Sequence, residues 1–238
     1  MEIKIDKKMN HYKILFILLI IIPFSCGISK KSDSSEKTTY KYLALGDSYT
    51  IGESVCSDCN YPKQLSDRMN KVSLEKTSVK IIAKTGWTTT DLLSAITTEK
   101  PSKDYDLVTL LIGVNNQYQG KPFALYEEEF PKLLDIAIDF AKGKAENVLV
   151  LSIPDYAFTP FGQKSGKAEK ITQELKKYDA FAAKISKEKG VRFENITPIT
   201  QLGLENPALV ASDGLHPSEV AYKKFIDQII SIVQNILK

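Results

Sequence analysis

Histidine and cysteine are scarce in this sequence of 238 residues. There are two histidines, His11 and His216, and three cysteines, Cys26, Cys56 and Cys59. Because His11 precedes an apolar N-terminal run, His216 is the only imidazole that the remaining chain could use as a base. A structural zinc site takes four ligands, and the Cys-x-x-Cys pair supplies only two. We therefore predict no metal site.

The sequence also lacks an excess of charge of one sign and the motifs that hold nucleotides. Its 32 Lys and Arg residues nearly balance 29 Asp and Glu residues, for a net charge of +3, so we predict no nucleic-acid partner. No predicted strand is followed by Gly-x-Gly-x-x-Gly. The segment "GQKSGKA" from Gly162 has three residues between its glycines where a P-loop has four, and Ala168 replaces Ser or Thr. We predict no cofactor.

Residues 14–22 form an unbroken apolar run near the N-terminus. The run is shorter than the roughly 18 residues that a membrane-spanning helix needs, and lysines precede it, as in a secretory signal. The segment "PFSC" that follows resembles a bacterial lipobox, with Pro23 where leucine is usual. This resemblance implies that Cys26 is lipidated and that the protein is anchored in the bacterial cell envelope. An ordinary secretory signal and an uncleaved anchor are the alternatives.

The chain therefore divides into three parts. We predict a signal peptide over residues 1–25, a flexible polar tether over 26–39 and one folded domain over 40–238. Lipidation of Cys26 would leave Cys56 and Cys59 as a pair in an oxidising compartment, where they could form a local disulfide. Thioredoxin-like redox chemistry is the rival interpretation, but no helix signal begins at Cys56.

Apolar segments and helical patterns alternate along the domain, as expected for βα units. Five segments have the composition of strands: residues 42–45, 79–84, 107–112, 148–152 and 191–194. Five others have helical periodicity: residues 62–69, 90–96, 126–142, 167–189 and 218–237. The third strand is almost continuously apolar, which indicates cover on both faces. The sequence predicts a three-layer α/β/α sandwich around a parallel sheet.

In such sheets, ligands bind beyond the carboxyl ends of the strands. Ser48 follows the first strand, Gly86 the second and Asn115 the third. Asp213 and His216 lie in the loop before the last helix. Each residue alone is an ordinary turn residue, but their common position at one edge of the sheet favours a site there.

These residues have the chemistry of a serine hydrolase. Ser48 is a nucleophile that needs a base, and Asp213, three residues before His216, could orient the imidazole so that its Nε2 accepts the serine proton. We expect the Ser48 hydroxyl and the His216 ring to be hydrogen-bonding neighbours. The N–H groups of Ser48 and Gly86 and the amide of Asn115 are candidate donors to an oxyanion.

Four blocks of the sequence resemble the SGNH or GDSL-type hydrolases: "LGDSYT", "AKTGWTT", "IGVNN" and "SDGLHPS". The resemblance implies a flavodoxin-like fold with sheet order 2-1-3-4-5 and a carboxylic esterase without metal or cofactor. It implies Ser48 as nucleophile, Asp213 and His216 as the other two triad members, and Gly86 and Asn115 as oxyanion donors. Asn116 stands where the family usually has aspartate. A non-catalytic envelope binding lipoprotein that retains the fold is the alternative, with a flavodoxin-like cofactor binder third.

Aromatic residues near the strand ends are candidates for contacts with a small-molecule ester. The long segment 153–166 follows the fourth strand, as binding loops often do. The predicted substrate contacts are Tyr49, Trp87, Tyr118, Pro154 and Phe158. Core packing is the competing interpretation for Phe158. The sequence leaves open whether the substrate is a simple acyl ester, a lysophospholipid or an acetylated sugar.

Overall fold

Five parallel strands form the centre of the protein in this computed structural model, which describes residues 39–72 and 76–237. The strands are β1 (Thr39–Gly46), β2 (Lys76–Ala83), β3 (Leu107–Leu111), β4 (Val148–Leu151) and β5 (Arg192–Glu194). Their order is β2-β1-β3-β4-β5, and every neighbouring pair is parallel. The predicted fold class and sheet order are confirmed.

The five predicted helices are present with slightly different ends, and four short helices were not predicted. The described residues contain α1 (Ser48–Ile51), α2 (Tyr61–Val72), α3 (Thr89–Glu99), α4 (Val114–Tyr118), α5 (Phe123–Phe140), α6 (Pro160–Lys164), α7 (Ala168–Glu188), α8 (Thr197–Thr200) and α9 (Glu219–Ile236). Short 3-10 turns cover Ala145–Asn147, Tyr156–Phe158 and Pro207–Leu209. Helices α1, α4, α6 and α8 have four or five residues each, too few to show a helical period.

Helices cover both faces of the sheet. Helix α2 packs against α9, whereas α3, α5 and α7 pack beside one another. Right-handed crossovers from β1 to β2 and from β2 onward to β5 place these two groups on opposite faces. All five residues of β3 are buried, as are the last five of β1. Burial on both faces explains why these two strands have nearly continuous apolar sequences.

The apolar stripe that the sequence predicts for α9 consists of Val220, Phe225, Ile229, Ile232 and Ile236. The last four pack as predicted, but Val220 is 47% exposed. The neighbouring Ala221 and Tyr222 are buried instead, followed by Phe225, Ile229 and Val233. The helix begins at Glu219 with Ser218 as its N-cap, and this start turns Val220 away from the sheet.

The predicted signal peptide, Cys26 and most of the predicted tether lie outside the described residues. Within the part of the chain that the structure describes, no helix is both long and apolar enough to cross a membrane.

Candidate active site

Ser48 lies at the turn where β1 ends and α1 begins. Asp47 is the N-cap of α1, and its Oδ1 accepts a hydrogen bond from the N–H of Tyr49 at 3.0 Å. A Cβ atom on Gly46 would lie 2.0 Å from Oγ1 of Thr50 and 2.4 Å from the carbonyl oxygen of Leu111. Only glycine fits there, and its small size lets the chain turn directly from the buried strand into the helix that begins with Ser48.

Several polar atoms are buried without a partner beneath this turn. Within the described residues, Oδ2 of Asp47, Oγ1 of Thr50 and the Tyr222 hydroxyl make no hydrogen bond. Burial raises the pKa of Asp47 from 3.8 to about 7, although the hydrogen bond from the N–H of Tyr49 lowers it in part. The fold thus holds a carboxyl group with little solvation directly beside the candidate nucleophile.

His216 is held by Asp213 in the loop before α9. Nδ1 of His216 lies 2.6 Å from Oδ2 of Asp213, and Oδ1 of Asp213 accepts from the N–H groups of Leu215 at 2.9 Å and His216 at 3.0 Å. Burial raises the pKa of Asp213, but the hydrogen bonds from His216 and Ser54 and from the two backbone N–H groups outweigh it and bring this pKa to about 2. An ionised Asp213 on Nδ1 leaves Nε2 of His216 as the atom that can accept a proton.

Ser54 makes a further side-chain hydrogen bond to Asp213, and this role of Ser54 was not predicted from the sequence. Its hydroxyl donates to Oδ2 of Asp213 at 2.7 Å. Ser54 has a φ of 66°, and a disulfide between Cys56 and Cys59, with Cα atoms 4.9 Å apart, closes the loop just after it. The two partners are separated by 159 positions, so no local pattern of residues connects them.

The structure brings the segments that carry Ser48 and His216 into contact through Tyr49, but it shows no hydrogen bond between the Ser48 and His216 side chains. The Tyr49 ring, on the residue after Ser48, meets the His216 ring edge-on with centroids 5.6 Å apart. Both Ser48 and His216 are buried, with 4% and 8% exposure. Within residues 39–72 and 76–237 the Ser48 hydroxyl has no hydrogen-bond partner. The expectation of a direct hydrogen bond is therefore wrong for this structure, and such bonds in ligand-free sites often form only with substrate.

The candidate oxyanion donors lie on the turns after β2 and β3. Gly86 has a φ of +84°, a backbone conformation that favours glycine, and a Cβ on it would meet no atom within 4 Å. Nδ2 of Asn115 donates to the carbonyl of Trp87 at 2.9 Å, and Nε2 of Gln119 donates to the carbonyl of Gly86 at 2.9 Å. These bonds fix the two turns together. An amide nitrogen has two hydrogens, so Asn115 keeps one for a ligand.

Asn116 is well accommodated at the position where the family usually has aspartate. Its Oδ1 accepts from the N–H of Thr89 at 3.0 Å, and its Nδ2 donates to Oγ1 of Thr89 at 2.7 Å. The same Thr89 hydroxyl donates to the buried carboxylate of Glu129 at 2.5 Å. Because the Thr89 hydroxyl already donates its hydrogen to Glu129, it can only accept a hydrogen bond from residue 116. The amide of asparagine can donate that bond, whereas an ionised carboxylate cannot.

The predicted substrate contacts divide into three groups. Tyr49 and Pro154 line a small pocket together with His216 and Tyr156, which we call the His216 pocket. Tyr118 lines a larger cleft of about 810 Å³ between α4, α6 and α7, and Tyr156 lines this cleft as well. Trp87 and Phe158 line neither.

Two of the predicted contacts, Trp87 and Phe158, are partly buried and pack against the core, and their contact with substrate stays a prediction. Phe158 lies in a 3-10 turn and packs against the core, which is the competing interpretation of this residue. The backbone carbonyl of Trp87 accepts a hydrogen bond from Nδ2 of Asn115. Phe161, which was not predicted to contact substrate, is 36% exposed and lines the larger cleft.

The polar groups of the site are those of a nucleophile, a base and hydrogen-bond donors. Within the described residues, no three His, Cys, Asp or Glu side chains are grouped so that they could hold a metal ion. The arrangement can remove a proton from a hydroxyl at Nε2 of His216 and donate hydrogen bonds to a developing negative charge near Gly86 and Asn115.

Comparisons with known proteins agree with this geometry. Among solved structures, a lipase/acylhydrolase from Enterococcus faecalis matches with a TM-score of 0.63 and 20% identity, over 84% of this chain and 97% of that chain. An acetyl xylan esterase, Axe2, from Geobacillus stearothermophilus matches with a TM-score of 0.58 and 18% identity, over 83% and 96%.

A psychrotrophic esterase, EstA, from Pseudoalteromonas sp., solved with the inhibitor monoethylphosphonate, matches with a TM-score of 0.58 and 16% identity, over 83% and 98%. At these identities the likeness shows the fold. No curated protein matches the chain by sequence. The model of the GDSL-like Lipase/Acylhydrolase family matches residues 44–224. The chain therefore belongs to the GDSL-like lipase/acylhydrolase family and is a carboxylic ester hydrolase.

Proposed function

We propose that this protein cleaves carboxylic esters through a covalent acyl intermediate on Ser48. The proposal is supported by the contact between Oδ2 of Asp213 and Nδ1 of His216 at 2.6 Å, which leaves Nε2 of the imidazole as the atom that can accept a proton. The His216 ring also contacts the ring of Tyr49, the residue after Ser48. Rotation of the Ser48 side chain between staggered positions is the motion that would bring its hydroxyl to Nε2.

The reaction has two halves. Oγ of Ser48 attacks the ester carbonyl carbon while Nε2 of His216 takes the hydroxyl proton, and the carbonyl oxygen becomes an oxyanion that accepts from Ser48, Gly86 and Asn115. The carbon–oxygen bond to the alcohol breaks, and the alcohol leaves with the proton from His216. Water then attacks the acyl-serine and gives a proton to Nε2 of His216. The bond between the acyl carbon and Oγ of Ser48 breaks, His216 returns the proton to Oγ, and the carboxylic acid and free Ser48 are released.

Asp213 orients the His216 imidazole in the absence of substrate. Its hydrogen bonds to Ser54 and to two backbone N–H groups support the ionised carboxylate. The ionised carboxylate holds the Nδ1 proton in place and stabilises the imidazolium that forms when Nε2 takes the serine proton.

A fluorophosphonate probe with a reporter group tests the nucleophile, since a neighbour of the same fold is inhibited by a phosphonate. We expect the native protein to be labelled and Ser48→Ala to be unlabelled, with ester hydrolysis reduced at least about 10³-fold. Ser57→Ala is the matched control, because Ser57 is an exposed serine of the nearby disulfide loop. Labelling of Ser48→Ala, or none of the native protein, would contradict the mechanism and favour a non-catalytic binding role.

The class of ester is tested by a panel. The neighbours include a lipase/acylhydrolase and an acetyl xylan esterase, so the panel contains short and long p-nitrophenyl esters, a lysophospholipid and an acetylated oligosaccharide. The substrate with the highest kcat/KM identifies the class.

We also propose export to the bacterial cell envelope and lipid anchoring at Cys26. The support is the apolar run 14–22 with lysines before it and Cys26 after it. Fractionation of bacteria that express the full chain is expected to place the native protein with membranes and Cys26→Ser in the soluble fraction. Equal distribution of both forms would contradict the lipid anchor.

A further inference from the structure

Beside the His216 pocket lies the cleft of about 810 Å³ between α4, α6 and α7. Tyr156 lines both spaces. Its hydroxyl donates to Oε1 of Gln117 at 2.8 Å, which fixes the ring between them. A substrate whose ester carbonyl lies at Ser48 and His216 therefore has this cleft within reach of one of its two arms.

One wall of the cleft consists of exposed aromatic rings. Tyr118 is 57% exposed and Phe161 is 36% exposed. The Tyr118 ring lies 6.1 Å from both the Tyr156 ring and the Phe161 ring, measured between centroids. Large apolar side chains that remain open in a group usually mark a contact surface. This wall suits the apolar part of a ligand.

The rest of the cleft has a strong positive charge. Its lining includes one acidic residue, Glu174, and five lysines: Lys121, Lys164, Lys167, Lys170 and Lys177. Glu174 accepts from Nε2 of Gln117 at 2.7 Å and lies 3.6 Å from Nζ of Lys170. The whole chain has a net charge of only +3, so this concentration of lysines is a local feature.

Three of these lysines have no ionic partner among the described residues. Lys170 pairs with Glu174, and Nζ of Lys177 lies 3.7 Å above the centre of the Phe123 ring. Lys121, Lys164 and Lys167 make no salt bridge within the described residues. Like charges gathered around a cleft repel one another and attract a negatively charged ligand.

We infer that the cleft between α4, α6 and α7 binds a negatively charged group on one arm of the ester substrate, so that the enzyme prefers anionic amphiphilic esters to neutral ones. This inference rests on the proposed esterase function and specifies its substrate class. The aromatic wall contacts the apolar part of that arm, and the lysines contact a phosphate or carboxylate beyond it. A neutral acetylated sugar would use the wall and leave the lysines without a partner.

Two matched pairs of substrates test the inference and distinguish the arms. On the alcohol side, 1-hexanoylglycerol 3-phosphate is compared with 1-hexanoylglycerol. On the acyl side, monomethyl adipate is compared with methyl hexanoate. At low salt we expect kcat/KM for the anionic member to exceed that of the neutral member by about tenfold in one pair, because several exposed charge pairs act together. The preference should fade as ionic strength rises from about 0.01 M to about 1 M.

Lysine substitutions locate the source of the preference. Lys164→Gln with Lys167→Gln removes two charges from the cleft and should reduce the anionic preference at least about threefold. Lys121→Gln with Lys167→Gln is a second variant, used if the first one folds poorly. The matched control is Lys223→Gln with Lys224→Gln, which removes two exposed lysines from α9 and should keep the full preference.

The results separate a failure of this inference from a failure of the proposed function. Cleavage of neutral and anionic members at equal rates in both pairs, or an equal preference in the cleft and control variants, would overturn the inference and leave the esterase intact. If no ester is cleaved, calorimetric titration of Ser48→Ala with 1-hexanoylglycerol 3-phosphate gives the answer. Binding that weakens with the cleft substitutions supports the inference, and no binding overturns it.

Discussion

The loop that carries His216 and the turn that carries Ser48 differ in how many hydrogen bonds hold their candidate catalytic groups. In the loop, Asp213 accepts four hydrogen bonds, from Ser54, His216 and two backbone N–H groups. At the turn, the Ser48 hydroxyl has no partner within the described residues, and one oxygen of the buried Asp47 has none either.

This difference indicates that hydrogen bonds hold the candidate base in place, whereas no hydrogen bond holds the hydroxyl of the candidate nucleophile. A buried polar atom without a partner costs about 1–3 kcal/mol. The surrounding β1 and β3 residues are fully buried, and their packing holds the turn despite that cost. The predictions below alter one half of the site at a time.

The largest effect is expected at Asn115 on the nucleophile side. Asn115→Ala removes a candidate amide donor to the oxyanion and should lower kcat by about 10²–10³ with little change in KM, because the bond is strongest in the transition state. Steady-state kinetics on a p-nitrophenyl ester measure this split. Asn206→Ala, an exposed asparagine, is the control. A kcat within about threefold of the native value would remove Asn115 from the oxyanion site.

The buried carboxyl of Asp47, beside Ser48, should make the stability of the protein depend on pH. Its folded pKa of about 7 exceeds its ordinary value of 3.8, so the stability it contributes is present below about pH 4 and is lost as the pH rises to about 7. Asp47→Asn keeps an acceptor for Tyr49 and should remove on the order of 2–4 kcal/mol of this loss.

Urea unfolding at acidic and neutral pH measures that slope. Asp58→Asn, an exposed aspartate of the disulfide loop, is the matched control and should keep the native pH dependence. If Asp47→Asn and the native protein lose stability in parallel between pH 4 and 7, Asp47 does not titrate as the structure predicts.

Asn116 gives a smaller effect, again on the nucleophile side. Asn116→Asp introduces the residue usual in the family but removes the donor to Thr89 and adds a negative charge near Glu129. We expect a loss of about 1–3 kcal/mol in the free energy of unfolding at neutral pH, and recovery at acidic pH as one carboxylate takes a proton. Asn206→Asp should be neutral. Unchanged stability of Asn116→Asp would mean that the hydroxyl of Thr89 can turn toward residue 116.

The two halves also differ in how well the sequence predicts them. Ser48, Gly86 and Asn115 follow strands whose apolar runs can be recognised, and the rule about carboxyl ends places them together. Asp213 and His216 are close in sequence. Ser54 has no such signal, because its bond to Asp213 joins two loops 159 positions apart.

The larger cleft escaped prediction for a similar reason. Its lining comes from α4, α6 and α7 and from the segments between them, and neither α4 nor α6 is long enough to show a period. Each lysine, seen in sequence, is an ordinary solvated residue. The periodicity of α9 indicated its packed face from Phe225 onward but not the exposure of Val220, which lies in the first turn of the helix.

Ser54 gives the smallest expected effect and the sharpest test of the base side. Ser54→Ala removes one of four hydrogen bonds to Asp213, so kcat should fall about fivefold, equal to roughly 1 kcal/mol at a partly exposed carboxylate. The Asp213 pKa, now about 2, should rise toward its ordinary value of 3.8, so that Ser54→Ala loses less stability than the native protein when the pH falls from about 4 to about 2, as urea unfolding would measure. Ser57→Ala, in the same loop, should retain the native pH profile. A Ser54→Ala protein that loses as much stability in acid as the native protein would show that Asp213 is held by His216 and the backbone alone, and the two halves of the site would then differ less than their hydrogen bonds suggest.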